Sequence, residues 1–381
     1  MRSSKAGPEA QPGPLQSAIF GAVLGVDAVG HCLALATIFF TGALSAGLGL
    51  ATAVFLMSSL CATLALFAFS QFRPALGIAQ DTSVAILAPA VGIAALGASG
   101  PPQAQVATAF AAIGISAVLS GLAFWLAGRL RLGRLLRMFP YPVAAGFLAS
   151  SGFLLVYSAI VILTGARSYA AIGAALAEPA VAWSVFAAVA MAAALLAGMR
   201  LRNGTLLVVA IVLLFLAGFY GFTRLAGIDH TRAVALGLLP HAGADGGLGP
   251  GLWLYQLADW GQVLPLALTL CAVVLVNLLA VLLNMSGVEI AARRDVSENR
   301  ELRGIGLVNI VVGAFGGTAS FMQGGGTIIA TRLGVHRAGL VAGHAAVQLV
   351  ACFLAAQIVA VVPTFVAAGL LMFIGLSMLE D

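Results

Sequence analysis

Three acidic residues lie in stretches of the sequence that are otherwise almost wholly apolar: Asp27, Asp81 and Glu289. A charged group is costly at membrane depth, and such groups usually line a cavity or a path for ions. His31 follows Asp27 by four residues, which places both side chains on one face of a helix. We predict Asp27 as an ion- or proton-coupling residue with His31 as its modulator. The alternative is a structural hydrogen bond between the two.

Two similar stretches form the second signal, because each places a glutamine and then small or polar residues before an apolar helix. The N-terminus of a helix presents unpaired N–H groups and a partial positive charge. Two such ends that face each other can bind an oxyanion without a cationic side chain. The alternative is that the polar residues only cap a helix and that the glycines only permit close packing. The predicted substrate-binding residues are Gln80, Asp81, Thr82 and Ser83 in the first stretch and Gln323, Gly324, Gly325, Gly326 and Thr327 in the second.

Asp81 and Glu289 are weaker candidates than Asp27. An ionised Asp81 at a helix N-terminus would repel an anion, so we expect it to be protonated, turned away as a cap, or bound to a coupled cation. Glu289, a further candidate for ion coupling, lies four residues before Arg293 and can instead form a solvated ion pair. Asn277 and Asn284 share one face of the same segment, where they line a site or join helices.

The composition shows which kind of protein must position these residues. The 381 residues are 61% hydrophobic and 8% charged, with a mean hydropathy of +1.09. A soluble domain has about 25% charged residues, so soluble enzymes and disordered chains are excluded. The apolar stretches are continuous, which indicates an all-α polytopic membrane protein. The four cysteines lack metal-ligand spacing, so we expect neither a metal site nor a disulfide framework.

Glycine, proline and arginine divide the apolar sequence into twelve segments, of which the third and the tenth are too short to cross a membrane alone. Each of the two polar stretches described above immediately precedes one of these short segments. Interrupted segments at corresponding positions of two halves are typical of inverted-repeat transporters, with the binding site between the half-helix ends. The predicted segments are 16–39, 44–70, 82–97, 105–128, 141–164, 180–198, 204–223, 262–288, 303–316, 325–334, 339–361 and 363–379.

The basic residues test this topology. With the N-terminus inside, 15 of the 18 lysines and arginines lie on the inner side of the membrane, as the positive-inside rule predicts. The net charge of +5 therefore reflects topology, and we expect no nucleic-acid partner. Residues 1–15 are predicted as a disordered cytoplasmic tail and 16–381 as the transmembrane domain of a multi-pass protein of the cytoplasmic (inner) membrane. No HExxH, GxSxG or phosphate-loop motif occurs, so we predict that the protein is not an enzyme.

Further stretches resemble a known family. They are residues 140–148 (PYPVAAGFL), residues 299–309 (NRELRGIGLVN), the Gly316-Gly317 pair, and Arg332-Leu333-Gly334 after the tenth segment. From about residue 16 to 379 the chain resembles the sulfate permease (SulP) family of anion transporters. The resemblance implies a 7+7 inverted repeat, like that of nucleobase transporters, with the substrate between half-helices 3 and 10.

The same resemblance implies an elevator motion of a core domain against a gate domain, usually in a homodimer. The core would comprise about 16–128 and 262–361, and the gate about 140–224 and 363–379. The chain departs from the family pattern because it stops after the twelfth segment. We therefore expect a truncated protein with an incomplete second repeat and without the STAS domain that most members carry. It also has glycines at 324–326, where some members place a basic or hydroxyl side chain.

These observations together predict a secondary active transporter of small inorganic anions such as sulfate or bicarbonate. We expect coupling to protons or sodium and no other cofactor. The expected partners are the anion, the lipid bilayer and a second copy of the chain. One alternative is a nucleobase or dicarboxylate transporter of the same fold. Another is a truncated membrane scaffold that does not transport.

Overall fold

The computed structural model describes residues 12–133, 141–166, 168–199, 204–240, 252, 254–292 and 296–380. Seventeen α-helices occur in these ranges, together with two 3₁₀-helices at Gly42–Gly47 and Leu264–Leu266. The α-helices are α1 Pro14–Phe39, α2 Leu48–Phe69, α3 Val84–Gly97, α4 Pro102–Arg129, α5 Tyr141–Thr164, α6 Tyr169–Ala175, α7 Pro179–Met199, α8 Gly204–Leu225, α9 His230–Ala235, α10 Leu254–Leu257, α11 Trp260–Val263, α12 Ala267–Ala292, α13 Glu298–Ala314, α14 Gly324–Arg332, α15 Arg337–Phe353, α16 Ala355–Val361 and α17 Thr364–Glu380.

Helix length and apolarity confirm a multi-pass membrane protein. Five helical stretches in the described ranges are long and apolar enough to cross a bilayer, and two bent helix pairs raise the number to seven. As predicted, α3 and α14 are short, with 14 and 9 residues. Most of the predicted tail, residues 1–11, lies outside the described residues, and α1 begins at Pro14.

One predicted segment is divided in the structure. The sequence predicts a single helix over 339–361, but α15 and α16 meet at Leu354 with a bend of 79°. Bends usually have a proline, a glycine or an inserted side chain as their cause, and neither proline nor glycine lies at this break. After the bend α16 packs against α2, so tertiary packing sets its direction.

Glycine pairs allow two pairs of helices to pack closely. In the contact of α1 with α15, a Cβ atom at Gly343 would overlap the carbonyl oxygen of Ala18, and one at Gly21 would overlap that of Leu340. In the contact of α4 with α13, a Cβ atom at Gly121 would lie 2.6 Å from the carbonyl oxygen of Gly306. Small residues are the usual means by which membrane helices approach one another. Further helix contacts join α17 to α5, α7 and α1, and α12 to α3, α4 and α14.

Two short buried strands pair with each other. Strand β1 (Gly77–Ala79) pairs antiparallel with β2 (Ser320–Met322), and Ile78 lies opposite Phe321. The Asn309 side chain on α13 holds β2: its Oδ1 accepts from the Ser320 N–H at 2.7 Å, and its Nδ2 donates to the Ser320 carbonyl at 2.8 Å. The Thr63 hydroxyl on α2 donates to the Gly77 carbonyl at 3.1 Å. The strand pair therefore fixes where α3 and α14 begin.

Candidate functional site

A cavity of about 450 Å³ lies where the two half-helices begin, with further walls from α1, α12 and α17. Its lining combines polar groups with aliphatic and aromatic side chains. The lining residues are Asp27, His31, Ile78, Ala79, Gln80, Asp81, Thr82, Ala280, Leu283, Asn284, Gln323, Gly324, Gly325, Leu370, Phe373, Ile374 and Ser377.

The turn between β1 and α3 supplies one polar wall. The Gln80 backbone N–H donates to the Ala319 carbonyl at 2.9 Å, which extends the strand pair by one hydrogen bond. The Gln80 side chain donates from Nε2 to the Ile78 carbonyl at 3.2 Å. Gln80 and Thr82 are only 4% and 6% exposed, so their positions are fixed by the surrounding protein. Asp81, partly buried, lies between them on the cavity wall.

The start of α14 supplies the matching wall. The Gln323 backbone N–H donates to the Leu76 carbonyl at 2.8 Å, the counterpart of the Gln80 bond on the other strand. Gly325 faces open space, because a Cβ atom there would have no heavy atom within 4 Å. A Cβ atom at Gly324 would lie 3.0 Å from the Asn284 Oδ1 atom, so this glycine permits the close approach of α12. Backbone at the start of α14 is therefore accessible from the cavity.

Helix α1 brings Asp27 and His31 into the same cavity. The Asp27 Oδ2 atom accepts a hydrogen bond of 3.4 Å from the Gln323 Nε2 atom. The His31 Nε2 atom lies 2.9 Å from the Ala79 carbonyl oxygen. A carbonyl only accepts, so this nitrogen carries the hydrogen. His31 therefore bonds to β1, and the alternative of a hydrogen bond between His31 and Asp27 is not what the structure shows.

Four of the predicted site residues lie outside the cavity lining: Ser83, Gly326, Thr327 and Glu289. Thr327 is fully buried, and its Oγ1 atom accepts from the Leu76 N–H at 3.2 Å. The Glu289 Oε1 atom accepts from the Val296 N–H at 3.1 Å, at the end of α12. Thr327 and Glu289 thus support the backbone around the site.

Two polar lining residues, Asn284 and Ser377, were not among the predicted substrate-binding and ion-coupling residues, although Asn284 was one of two asparagines expected either to line a site or to join helices. Asn284 on α12 donates from Nδ2 to the Met322 carbonyl at 3.4 Å and faces the cavity. An asparagine in an apolar helix can indicate a binding site, but this pattern does not distinguish Asn284 from Asn277 on the same helix. Asn277 instead donates to the Ser120 hydroxyl at 3.0 Å in the packed interior. Ser377 on α17 is the second, and one serine in an apolar helix carries no comparable signal.

Asp259, outside the membrane-spanning helices, joins the far end of α3 to the segment before α12. Its Oδ2 atom accepts from the Ser99 N–H at 3.0 Å and from the Ser99 hydroxyl at 2.9 Å. These hydrogen bonds from Ser99 stabilise the ionised form and lower the pKa of Asp259 below its ordinary value. The Asp259 N–H in turn donates to the Thr108 hydroxyl on α4 at 2.9 Å.

The sequence profile of the Sulfate permease family matches residues 15–381. Among solved structures, the fold is similar to the transmembrane domain of a cyanobacterium bicarbonate transporter, BicA, with a TM-score of 0.71 at 20% identity, over 97% of this chain and 90% of that one. No curated protein sequence matches the chain significantly.

Two structures of SLC26A9 also share the fold. One has a TM-score of 0.57 at 14% identity and covers 95% of this chain and 58% of that chain. The other is the murine Slc26a9 anion transporter in the inward-facing state. It has a TM-score of 0.60 at 15% identity and covers 95% of this chain and 61% of that chain. These folds have the 7+7 inverted-repeat architecture, which confirms the predicted fold. The chain therefore belongs to the sulfate permease family, whose members are transporters and not enzymes.

Proposed function

We propose that this protein is a secondary active transporter of a small anion and that the central cavity is its substrate site. One observation carries the proposal: the turn that leads from β1 into α3 and the first residues of α14 after β2 line one cavity. The N–H groups and dipoles of these helix ends attract negative charge. Family membership and the anion transporters among the similar structures support the same function.

The charges of the lining favour coupling to a cation. No lysine or arginine occurs among the lining residues that the structure describes, whereas Asp27 and Asp81 both do. An anion beside two carboxylates is repelled unless a proton or a sodium ion binds with it. Asp27 contacts Gln323 at the start of α14, so protonation of Asp27 would act on the substrate site directly. We infer that proton or sodium uptake through Asp27 drives anion uptake.

We further propose an orientation of the protein in the membrane and a transport mechanism. With the N-terminus in the cytoplasm, α12 and α17 end on the cytoplasmic side of the inner membrane. Most lining residues of these helices, such as Asn284 and Ser377, lie in their second halves, so the cavity would face inward. Transport would then move the core (16–128 and 262–361) against the gate (140–224 and 363–379) as an elevator in a homodimer.

Uptake into proteoliposomes tests the function. The purified chain of 381 residues is reconstituted, and the uptake of labelled sulfate and labelled bicarbonate is measured with and without an inward proton or sodium gradient. We expect uptake of at least one anion above that of empty vesicles and stimulation by one gradient. Uptake equal to that of empty vesicles for both anions under all gradients would contradict the proposal.

A further inference from the structure

The cavity has a large apolar wall beside its polar one. Leu370, Phe373 and Ile374 line it from α17, and Leu283 lines it from α12. A bare inorganic oxyanion cannot use such a surface, because it has only polar atoms to present. A ligand with an apolar part gains about 25 cal/mol for each Å² of apolar surface that it removes from water there. The lining is therefore suited to a ligand with two chemically different ends.

The size of the cavity agrees with this division. Sites for small organic ligands are usually about 300–1,000 Å³, with apolar walls and a few polar groups that fix the orientation. The central cavity, at about 450 Å³, lies within this range. Most of its polar groups lie where α3 and α14 begin, such as Gln80, Thr82 and Gln323, and Ser377 is the polar lining residue of α17. A ligand would thus place its charged group at the half-helix ends and its remaining atoms along α17.

The charge of the lining limits the charge of that ligand. The described lining residues include the carboxylates Asp27 and Asp81 and no arginine or lysine. Two helix ends supply roughly half a positive charge each. With one coupled cation, the helix ends, the two carboxylates and a monoanion carry a total charge of about −1, whereas the same groups with a dianion carry about −2. The lining therefore favours a monoanion over sulfate or a dicarboxylate.

We propose that the substrate is a short monocarboxylate with an apolar chain, whose carboxylate binds at the starts of α3 and α14 and whose chain packs on Leu370, Phe373 and Ile374. This inference rests on the proposed function and names its substrate class. The Gly325 position, open to the cavity, leaves room for the carboxylate to approach backbone N–H groups.

A homologous series of anions tests the inference. Dissociation constants for acetate, propionate and butyrate, and for bicarbonate and sulfate, are measured by titration calorimetry on the purified full chain in detergent. Each methylene buried on the apolar wall is worth about 0.8 kcal/mol, so we expect affinity to rise roughly fourfold per added carbon. We expect sulfate to bind about tenfold more weakly than acetate, or more weakly still.

A matched pair of variants separates binding at this wall from partition into detergent. Phe373→Ala removes the ring from the cavity, and we expect the gain per carbon to fall below about twofold. Phe353→Ala removes an equal side chain from α15, where Phe353 is 78% exposed and does not line the cavity, and we expect the full gain to remain. A gain per carbon that is the same in both variants would overturn the proposal.

The other outcomes are equally decisive. If bicarbonate or sulfate binds but affinity is flat or falls from acetate to butyrate, the inference is overturned and the proposed anion transport stands. If a folded protein binds none of the five anions, both fail together. Propionate and butyrate that bind more tightly than bicarbonate, with the gain dependent on Phe373, would establish the proposed substrate class.

Discussion

The side-chain amide of Gln323 donates a hydrogen bond of 3.4 Å to the carboxylate of Asp27, and these two residues are 296 positions apart in the sequence. Gln323 immediately precedes α14, and Asp27 lies within α1. The strongest predicted ion-coupling residue thus touches a predicted substrate-binding residue. A change in the charge of Asp27 would therefore reach the proposed substrate site without any intermediate element.

Asp27→Asn is expected to abolish stimulation of anion uptake by an inward cation gradient, because asparagine cannot be ionised. The Oδ1 atom of asparagine still accepts from Gln323, so the fold should be retained. The measurement is initial uptake into proteoliposomes with and without the proton or sodium gradient, alongside size-exclusion profiles of both proteins. Gradient stimulation equal to that of the unchanged protein would remove Asp27 from the coupling role.

Gly325→Leu is expected to weaken anion affinity by about tenfold or more, the equivalent of about 1.4 kcal/mol. Nothing lies within 4 Å of a Cβ atom at this position, so the leucine enters the cavity and fills the place of the ligand. Gly221→Leu on α8 is the matched control, since this exposed glycine also has no neighbour within 4 Å. Equal affinity in the two variants would show that the anion binds elsewhere.

Gly343→Ala is expected to lower the free energy of unfolding by about 1–3 kcal/mol, because the added Cβ atom overlaps the Ala18 carbonyl and forces α1 and α15 apart. Gly221→Ala is expected to change stability in the opposite direction, by about 0.5–1 kcal/mol, because an exposed helical alanine is favoured over glycine. Thermal or denaturant unfolding in detergent measures both. The same sign of change in both variants would contradict the close packing.

Asp259→Asn is expected to reduce stability at neutral pH, since it removes the ionised acceptor of the two Ser99 hydrogen bonds. The pKa of Asp259 is lowered in the folded protein, so its contribution is present above the ordinary value of 3.8 and is lost as pH falls through the folded value. Melting temperatures of both proteins at pH 7 and below pH 3.8 provide the measurement. A difference that persists unchanged at the lower pH would argue against the carboxylate as the cause.

The half-helices were predictable because each combines a short apolar segment with a polar start, and both signals are local. The strands β1 and β2 were not predictable, since three residues cannot show an alternating pattern and the partner strand is about 240 residues away. The bend at Leu354 was not predictable from the sequence either, because packing of α16 on α2 determines it.

Helix geometry explains which predicted site residues reach the cavity. Successive residues of a helix point about 100° apart, so a run of neighbours such as Gly324 to Thr327 cannot all face one cavity. Gly324 and Gly325 do, and Gly326 and Thr327 do not. On α12 the same reasoning separates Asn284, which lines the cavity, from Glu289 five residues later on a different face.

The paired strands also constrain how the protein is made. Gly77–Ala79 enters the bilayer about 240 residues before the ribosome reaches Ser320–Met322, and unpaired backbone groups in hydrocarbon are costly. The hydroxyls of Ser59 and Thr63 on the preceding α2 both donate to the Gly77 carbonyl at 3.1 Å, so part of β1 has hydrogen-bond partners from the start. The Ala79 carbonyl likewise has the His31 ring N–H on α1 as a partner. The backbone groups of β1 that bond to β2 must wait for the second half of the chain. Formation of the site is thus a late event in biogenesis, coupled to insertion of α13 and α14.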